Sequence, residues 1–471
     1  MTTIAVAAYN NLSVSAALPA IGDDLGNIDL LPWIVTIELI TSAIAVLAIG
    51  PVIDSVGTRA VFRWSLAAFS LTCLACAFAP TLATLIVARG VQGLASGAII
   101  ANVMTAVGLG VPEALRPRSY AANSSVWGIM GVAGPGIAAL ILTFSDWSGI
   151  FLVNLPVAAL AAVVGWNAFP GPTEHATSAP SDRRGLALVT VFTLLSLAAL
   201  SSISWWTPIA VLVSGMLVWL YMRHEPRVEP PLLRMRHITA SKFRILHATA
   251  FLVITSGVAS NTFLPVYVKG ARGATTSQAA FAVVFLTVGW TTGAFASSRA
   301  SEKRSGEFAM AFSAVILAGA ATVASAGVWL TWPLWIIFVG FTGVGFGLGG
   351  VSSSGLTVLQ SKAIPAEMGR VNSAHQFIRT LGFTYGAAIG GAVLFGVVEA
   401  ELGDAEVIRA LLDDEPLDVA QDSIDALALG FSVSTALAAA LTYVALWFAV
   451  RLYRKSLGPN RHRGGVYENL T

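Results

Sequence analysis

The apolar positions of this chain gather into long, nearly unbroken stretches, set apart by short segments of charge, glycine and proline. Crossing a hydrocarbon layer about 30 Å thick takes roughly 20 helical residues, because a helix satisfies its own backbone hydrogen bonds where no water is present. Fourteen stretches fit that need: 3–20, 31–53, 61–79, 81–108, 119–143, 150–168, 185–203, 206–222, 245–268, 276–297, 308–328, 332–358, 371–398 and 428–450. The seventh and eighth are separated by only a couple of residues and read as a tight helical hairpin. The pattern therefore predicts an all-α polytopic membrane protein with six spans, an inserted pair, and six more. No basic segment precedes the first stretch, so it reads as a span and not as a cleaved signal peptide.

This divides the chain into an N-terminal six-helix bundle (1–168), a linker with a two-helix hairpin (169–222), a connector (223–244), a C-terminal six-helix bundle (245–452) and a basic tail (453–471). Composition agrees: 56% of the 471 residues are hydrophobic and 11% are charged, against about 25% charged in an ordinary globular protein. A cytosolic enzyme and a nucleic-acid binder are thereby excluded. The net charge of +2 says little, but its distribution sets an orientation. Of 27 Lys and Arg, two fall well inside spans (Arg89 and Arg379) and three in loops of one side (Lys269, Arg272 and Arg409). The remaining 22 share the other side, so both termini are expected in the cytoplasm, in a bacterial-type inner membrane.

The connector is basic, Pro-rich and amphipathic, suited to lying along the membrane surface. The outer loop at 399–427 carries nine acids from Glu401 to Asp425, which read as a solvated face. Cys73 and Cys76 share one apolar stretch without a histidine or second cysteine pair nearby, so they read as packing residues; no metal or cofactor is expected. The glycines Gly340, Gly343, Gly345, Gly347, Gly349 and Gly350 lie inside an apolar run with no adjacent Lys-Ser or Lys-Thr. They read as close helix contacts and not as a phosphate loop.

Short motifs then become recognisable. Between the second and third spans stands Gly50-Pro-Val-Ile-Asp54-Ser-Val-Gly57-Thr-Arg59. The fourth span carries Leu85, Arg89, Gln92 and Gly93, and the fifth carries Gly131, Gly134, Pro135 and Gly136. Trp147-Ser-Gly-Ile-Phe151-Leu-Val-Asn154-Leu-Pro156 follows, and the second half contains FLPVYVKGARGATTSQAA and AIPAEMGRVNSAHQFIRTLG. Together these resemble the fourteen-span drug:proton antiporter branch of the major facilitator superfamily. The resemblance implies alternating access between two six-helix bundles, a cytoplasmic latch at Gly50, Asp54, Gly57 and Arg59, and a hinge at Gly131, Gly134, Pro135 and Gly136. It also marks departures. The branch's first-span acid aligns with Asn10, which cannot titrate, while position 38, aromatic in the branch, is Glu38.

An ionisable group within a span costs several kcal/mol, so each is a functional candidate. Glu38, Arg89 and Arg379 are the proton-coupling candidates, Glu38 as carrier if it faces the interior, or as a solvated surface acid if it lies among the outer headgroups. Asn10, Asn11, Asn123, Trp127, Asn154, Asn261, Trp290 and Gln376 are candidates for a substrate cavity, the polar ones alternatively as interhelical hydrogen bonds. His247 and His375 read as interfacial. A cavity of aromatic and amide groups suits an amphiphilic or lipophilic small molecule. The expected function is export of such molecules, drug-like in character and driven by protons, by a monomer. The alternatives are a lipid or glycolipid transporter with altered or absent coupling, and a non-transporting receptor or scaffold.

Overall fold

The computed structural model describes residues 2–26, 30–171, 182–201, 206–229, 231–402 and 421–457. The described residues are helical throughout, with no strand among them. The helices are α1 (Thr2–Leu25), α2 (Leu31–Val56), α3 (Thr58–Ala77), α4 (Leu82–Gly110), α5 (Arg116–Phe144), α6 (Ser148–Leu152), α7 (Asn154–Gly165), α8 (Arg183–Ser201) and α9 (Thr207–His224). They continue with α10 (Arg236–Thr239), α11 (Ser241–Asn261), α12 (Leu264–Val266), α13 (Thr276–Lys303), α14 (Gly306–Trp329), α15 (Leu334–Ser361), α16 (Met368–Leu402) and α17 (Gln421–Ser456). Eleven of the described helical segments are long and apolar enough to cross a membrane, and twelve if the bent α5 counts as one span. α1 and α9 are not among them. Most of the outer acidic loop (403–420), the linker at 172–181 and the tail from 458 lie outside the described residues.

Local chemistry sets the helix ends. A single residue, Gly57, separates α2 from α3, and its φ of 84° is one that side-chain-bearing residues rarely adopt. Thr81 and Thr275 begin α4 and α13 with reciprocal capping boxes, and Ser305 caps α14. α5 bends by 45° between Gly131 and Gly136. Pro135 lies inside the bend; it offers no N–H to the carbonyl four residues back, which kinks a helix.

Helices α1 to α7 pack largely on one another, as do α11 to α17, and the two sets meet chiefly through α2 against α16 and α5 against α13. We call the end of the molecule bearing Gly57, Arg118, Glu302 and Glu367 the basic face, after its loops. There the connector does not lie free: Leu232 and Leu233 are buried in a cluster with Leu47, Tyr221, Phe377 and Leu381. Asp182 pins it from the start of α8, accepting hydrogen bonds from the backbone N–H groups of Gly185 (2.8 Å) and Leu232 (3.1 Å) and pairing with His224 at 2.6 Å. Burial works against the Asp182 charge, but these partners outweigh it and hold its pKa below the ordinary value.

Lipid tails are as apolar as the helix surfaces, so backbone proximity and packing must hold the helices together. Glycine supplies it on two sides of α15. Toward α13, a Cβ on Gly345 would stand 2.1 Å from the Leu286 carbonyl oxygen, and one on Gly349 would stand 1.9 Å from that of Trp290. Toward α14, Gly340 and Gly347 meet Ala324 and Leu317 in the same way. Gly349→Ala is therefore expected to destabilise the protein by ~2 kcal/mol or more, read as a lower melting temperature in detergent. Gly319→Ala, where a Cβ would meet nothing within 4 Å, is the control and should not lower it.

Candidate functional site

A buried ion pair forms where α2 crosses α4. Arg89, Gly93 and Gly97 recur every four residues and so share one stripe of α4. A Cβ on Gly93 would stand 2.4 Å from the Glu38 carbonyl oxygen, and one on Gly97 2.3 Å from that of Ser42. That close approach brings two fully buried charges together, with Arg89 Nη2 3.8 Å from Glu38 Oε2. Glu38 Oε1 accepts a hydrogen bond from Ser96 at 2.7 Å, whereas its Oε2 accepts none.

The guanidinium is well satisfied. Its Nε donates to the Ile34 carbonyl at 3.1 Å, and Nη1 donates to Gln92 Oε1 at 2.6 Å and to Asn10 Oδ1 at 3.3 Å. Gln92 in turn donates to Cys73 Sγ at 3.2 Å and accepts from Cys76 at 3.7 Å. Phe151 lies 5.9 Å beneath the guanidinium carbon. Five helices of the first set, α1, α2, α3, α4 and α6, thus converge on one ion pair. Breaking a buried pair by removing one partner costs about 3–5 kcal/mol, since the other charge is left alone in a low-dielectric medium.

A second polar site closes the basic face. Asp54, near the end of α2, accepts from the N–H groups of Gly369 (2.7 Å) and Arg370 (3.1 Å) in the first turn of α16, and lies 3.5 Å from Arg370 Nη1. It caps a helix of the other set, where the helix dipole favours an anion. Gly50 and Gly369 make room: a Cβ on either would meet atoms of the opposite helix below 3.0 Å. Gln360 of α15 donates to the Met104 carbonyl of α4 and to Asn372, both at 3.0 Å, and accepts from Tyr120 of α5. Arg118 and Glu302 add an exposed pair at 2.8 Å. Among the described residues, the polar contacts joining the two sets gather at this face.

The sequence candidates therefore separate. Glu38, Arg89 and Asn10 come together, and Glu38 is interior. Asp54 and Arg59 do not meet: Arg59 donates to the Phe169 carbonyl at 2.9 Å, within its own set. Asn154 is buried where α6 meets α7, donating to the Ile150 and Phe151 carbonyls. Asn11 donates to the Ala7 carbonyl in its own helix. Asn123, Trp127 and Asn261 are half-buried, Gly134 is buried and Gly136 faces open space. Trp290 stacks on Phe383 across α13 and α16, 6.2 Å between ring centres. Gln376 accepts from Arg379 at 2.8 Å.

One expectation is corrected. His247 and His375 are not interfacial but fully buried, with their Nδ1 atoms 3.2 Å apart, because Gly355 and the helix crossing at Gly382 draw α11, α15 and α16 together around them. Sequence reasoning also missed Arg370, Ser96 and Gln360 as partners. Arg370 had a visible signal, since Glu367-Met-Gly369-Arg370 opens a span with a glycine and a charge as the loop at Asp54 does.

A family model described as Major Facilitator Superfamily matches residues 1–387. The chain belongs to that superfamily. Multidrug resistance protein 3 of Bacillus subtilis (strain 168) is 25% identical over 414 residues, covering 85% of this chain and 80% of the relative. Multidrug efflux pump SdrM of Staphylococcus aureus (strain N315) is 26% identical over 392 residues, 82% of this chain and 86% of the relative. Among solved structures, the major facilitator superfamily proton:xylose symporter XylE bound to 6-bromo-6-deoxy-D-glucose superposes with a TM-score of 0.61. That likeness is at 12% identity, over 94% of this chain and 93% of the symporter. The protein is thus a multi-pass membrane transporter of the major facilitator type and not an enzyme.

In a major facilitator transporter the two sets of helices must part at one face to admit substrate. Asp54→Asn removes the charge that caps α16 and is expected to loosen the basic face. A cysteine placed at Ser373 should then react several-fold faster with a maleimide than in the unaltered background, where the native Cys73 and Cys76 are fully buried. An unchanged rate would show that Asp54 does not hold the face shut.

Proposed function

We propose that this protein is a proton-driven exporter of amphiphilic small molecules with a fourteen-span topology, in which α8 and α9 are the pair inserted between two six-helix bundles. The basic face is cytoplasmic and both chain ends are inside, in a bacterial-type inner membrane, by the distribution of Lys and Arg. Multidrug efflux relatives at about 25% identity over most of both chains support export of drug-like molecules. With the sets joined at the basic face, the described conformation is the one closed toward the cytoplasm.

The observation that carries proton coupling is the Glu38–Arg89 pair. Glu38 Oε2 accepts no hydrogen bond, so a proton can be added there without displacing one. Protonation removes the attraction to Arg89 and loosens α2 from α4. α2 is also the helix whose far end caps α16 through Asp54, 16 residues or about 24 Å away. Proton arrival at one end thus changes how firmly the same helix is held at the other. Asn10, where the branch has an acid, keeps contact with Arg89 as a neutral acceptor, and Glu38 supplies the titrating carboxylate.

The test is export of a lipophilic dye from proteoliposomes under an imposed pH gradient. Glu38→Gln keeps the side-chain shape and should lower gradient-driven export about tenfold or more, while downhill equilibration of the dye continues. Export by Glu38→Gln that retains its full dependence on the gradient would overturn the coupling role.

A further inference from the structure

Two arginines lie within the spans, and their surroundings differ. Arg89 is enclosed by a carboxylate, two amides and a carbonyl. Arg379 has one hydrogen bond, from Nη1 to Gln376 Oε1 at 2.8 Å, and its Nε is buried without an acceptor. No carboxylate among the described residues pairs with it. Glu38 is committed to Arg89 and Asp54 to α16; the other described acids stand at helix ends and in loops. Arg379 lies eleven residues, about 16 Å, along α16 from its first residue, within the predicted span 371–398.

The faces of α16 show where Arg379 points. Gly382, Gly386 and Gly390 pack on α11, at Phe251, Thr255 and Ala259. Ala374, Phe377 and Leu381 pack in the cluster with Leu47 of α2 and Val189 of α8. Gln376, Thr380 and Phe383 occupy the remaining face, which meets α13 through the Phe383–Trp290 stack, and Arg379 lies where this face borders the glycine stripe, in line with Gly382 and Gly386. Phe383 is 39% exposed despite that stack, and Arg379 is half-buried, so neighbouring side chains close off neither group.

We infer that Arg379, beside Gln376 and one turn from the Trp290–Phe383 ring pair, is the headgroup site for an anionic amphiphile whose apolar body rests on the two rings. The inference rests on the exporter reading and names its substrate class. A cation held within a membrane span with an unused donor is costly. A carboxylate or sulfonate would supply both the missing acceptor and the missing charge, in the short charge-assisted hydrogen bonds that guanidinium forms best. An aromatic or long apolar tail would cover ring surface that is otherwise open. A cationic amphiphile would meet Arg379 as a like charge.

Equilibrium binding to the purified full-length protein is measured with three probes sharing one ring system: pyrenebutyrate, pyrenebutanol and pyrenebutyl-trimethylammonium. Wild type should prefer the butyrate over the alcohol by about tenfold and bind the cation most weakly. Arg379→Gln should abolish that preference while alcohol affinity stays within about twofold, and Arg379→Lys should keep part of it. A wild type without preference for the butyrate overturns the inference, even if neither variant folds. So does a preference that survives in Arg379→Gln, or an equal loss for all three probes, which a packing role would give. Export of the alcohol from proteoliposomes separates the two readings. Alcohol exported with no anion preference overturns only the headgroup site, whereas no export of any probe overturns the exporter reading and this one with it.

Discussion

A charge inside a hydrocarbon layer is costly without a counter-charge, and the Glu38–Arg89 pair meets that constraint in the first set of helices. Because the two groups must meet, α2 and α4 have to approach until side chains no longer fit between them, and Gly93 and Gly97 stand at the crossing. Because the guanidinium must also be satisfied, α1 contributes Asn10 and the break between α6 and α7 brings Phe151 beneath it. The geometry of the first set of helices follows from housing one ion pair.

The same logic governs the contact between the sets. Asp54 is stable at the end of α2 because the exposed N–H groups of another helix and Arg370 receive it. These partners belong to the opposite set, so the interaction exists only while the basic face is shut. A group satisfied in one conformation alone biases the equilibrium between conformations by the free energy of that satisfaction. Transport requires such contacts to be comparable with those of the opposite state, which fits a joint made of a few polar pairs and glycine contacts.

Helix positions were largely legible because span length is dictated by membrane thickness: α2 at Leu31–Val56 and α13 at Thr276–Lys303 begin where apolar runs begin. The glycines of α15 were legible as close contacts, although which faced α13 and which α14 was not. Glu38 and Arg89 could be singled out, since any charge in an apolar run is conspicuous. Their pairing could not be read, because 51 residues of separation carry no signal of proximity. Arg59 illustrates the opposite failure. Its motif suggested a partnership with Asp54, but the reversal at Gly57 turns it toward the Phe169 and Pro170 carbonyls. The histidine pair was missed for the same reason, its members lying 128 residues apart on helices whose crossing the sequence does not specify.

The turn at Gly57 has a mechanical consequence. A one-residue link has no slack, so α2 cannot shift along its axis without carrying the start of α3 with it. That start is itself fastened, through Thr58 and Arg59, to the stretch of chain that follows α7. Any force delivered to α2 is therefore passed on to a stretch of chain more than a hundred residues away, so the end of α2, the start of α3 and the segment after α7 move together.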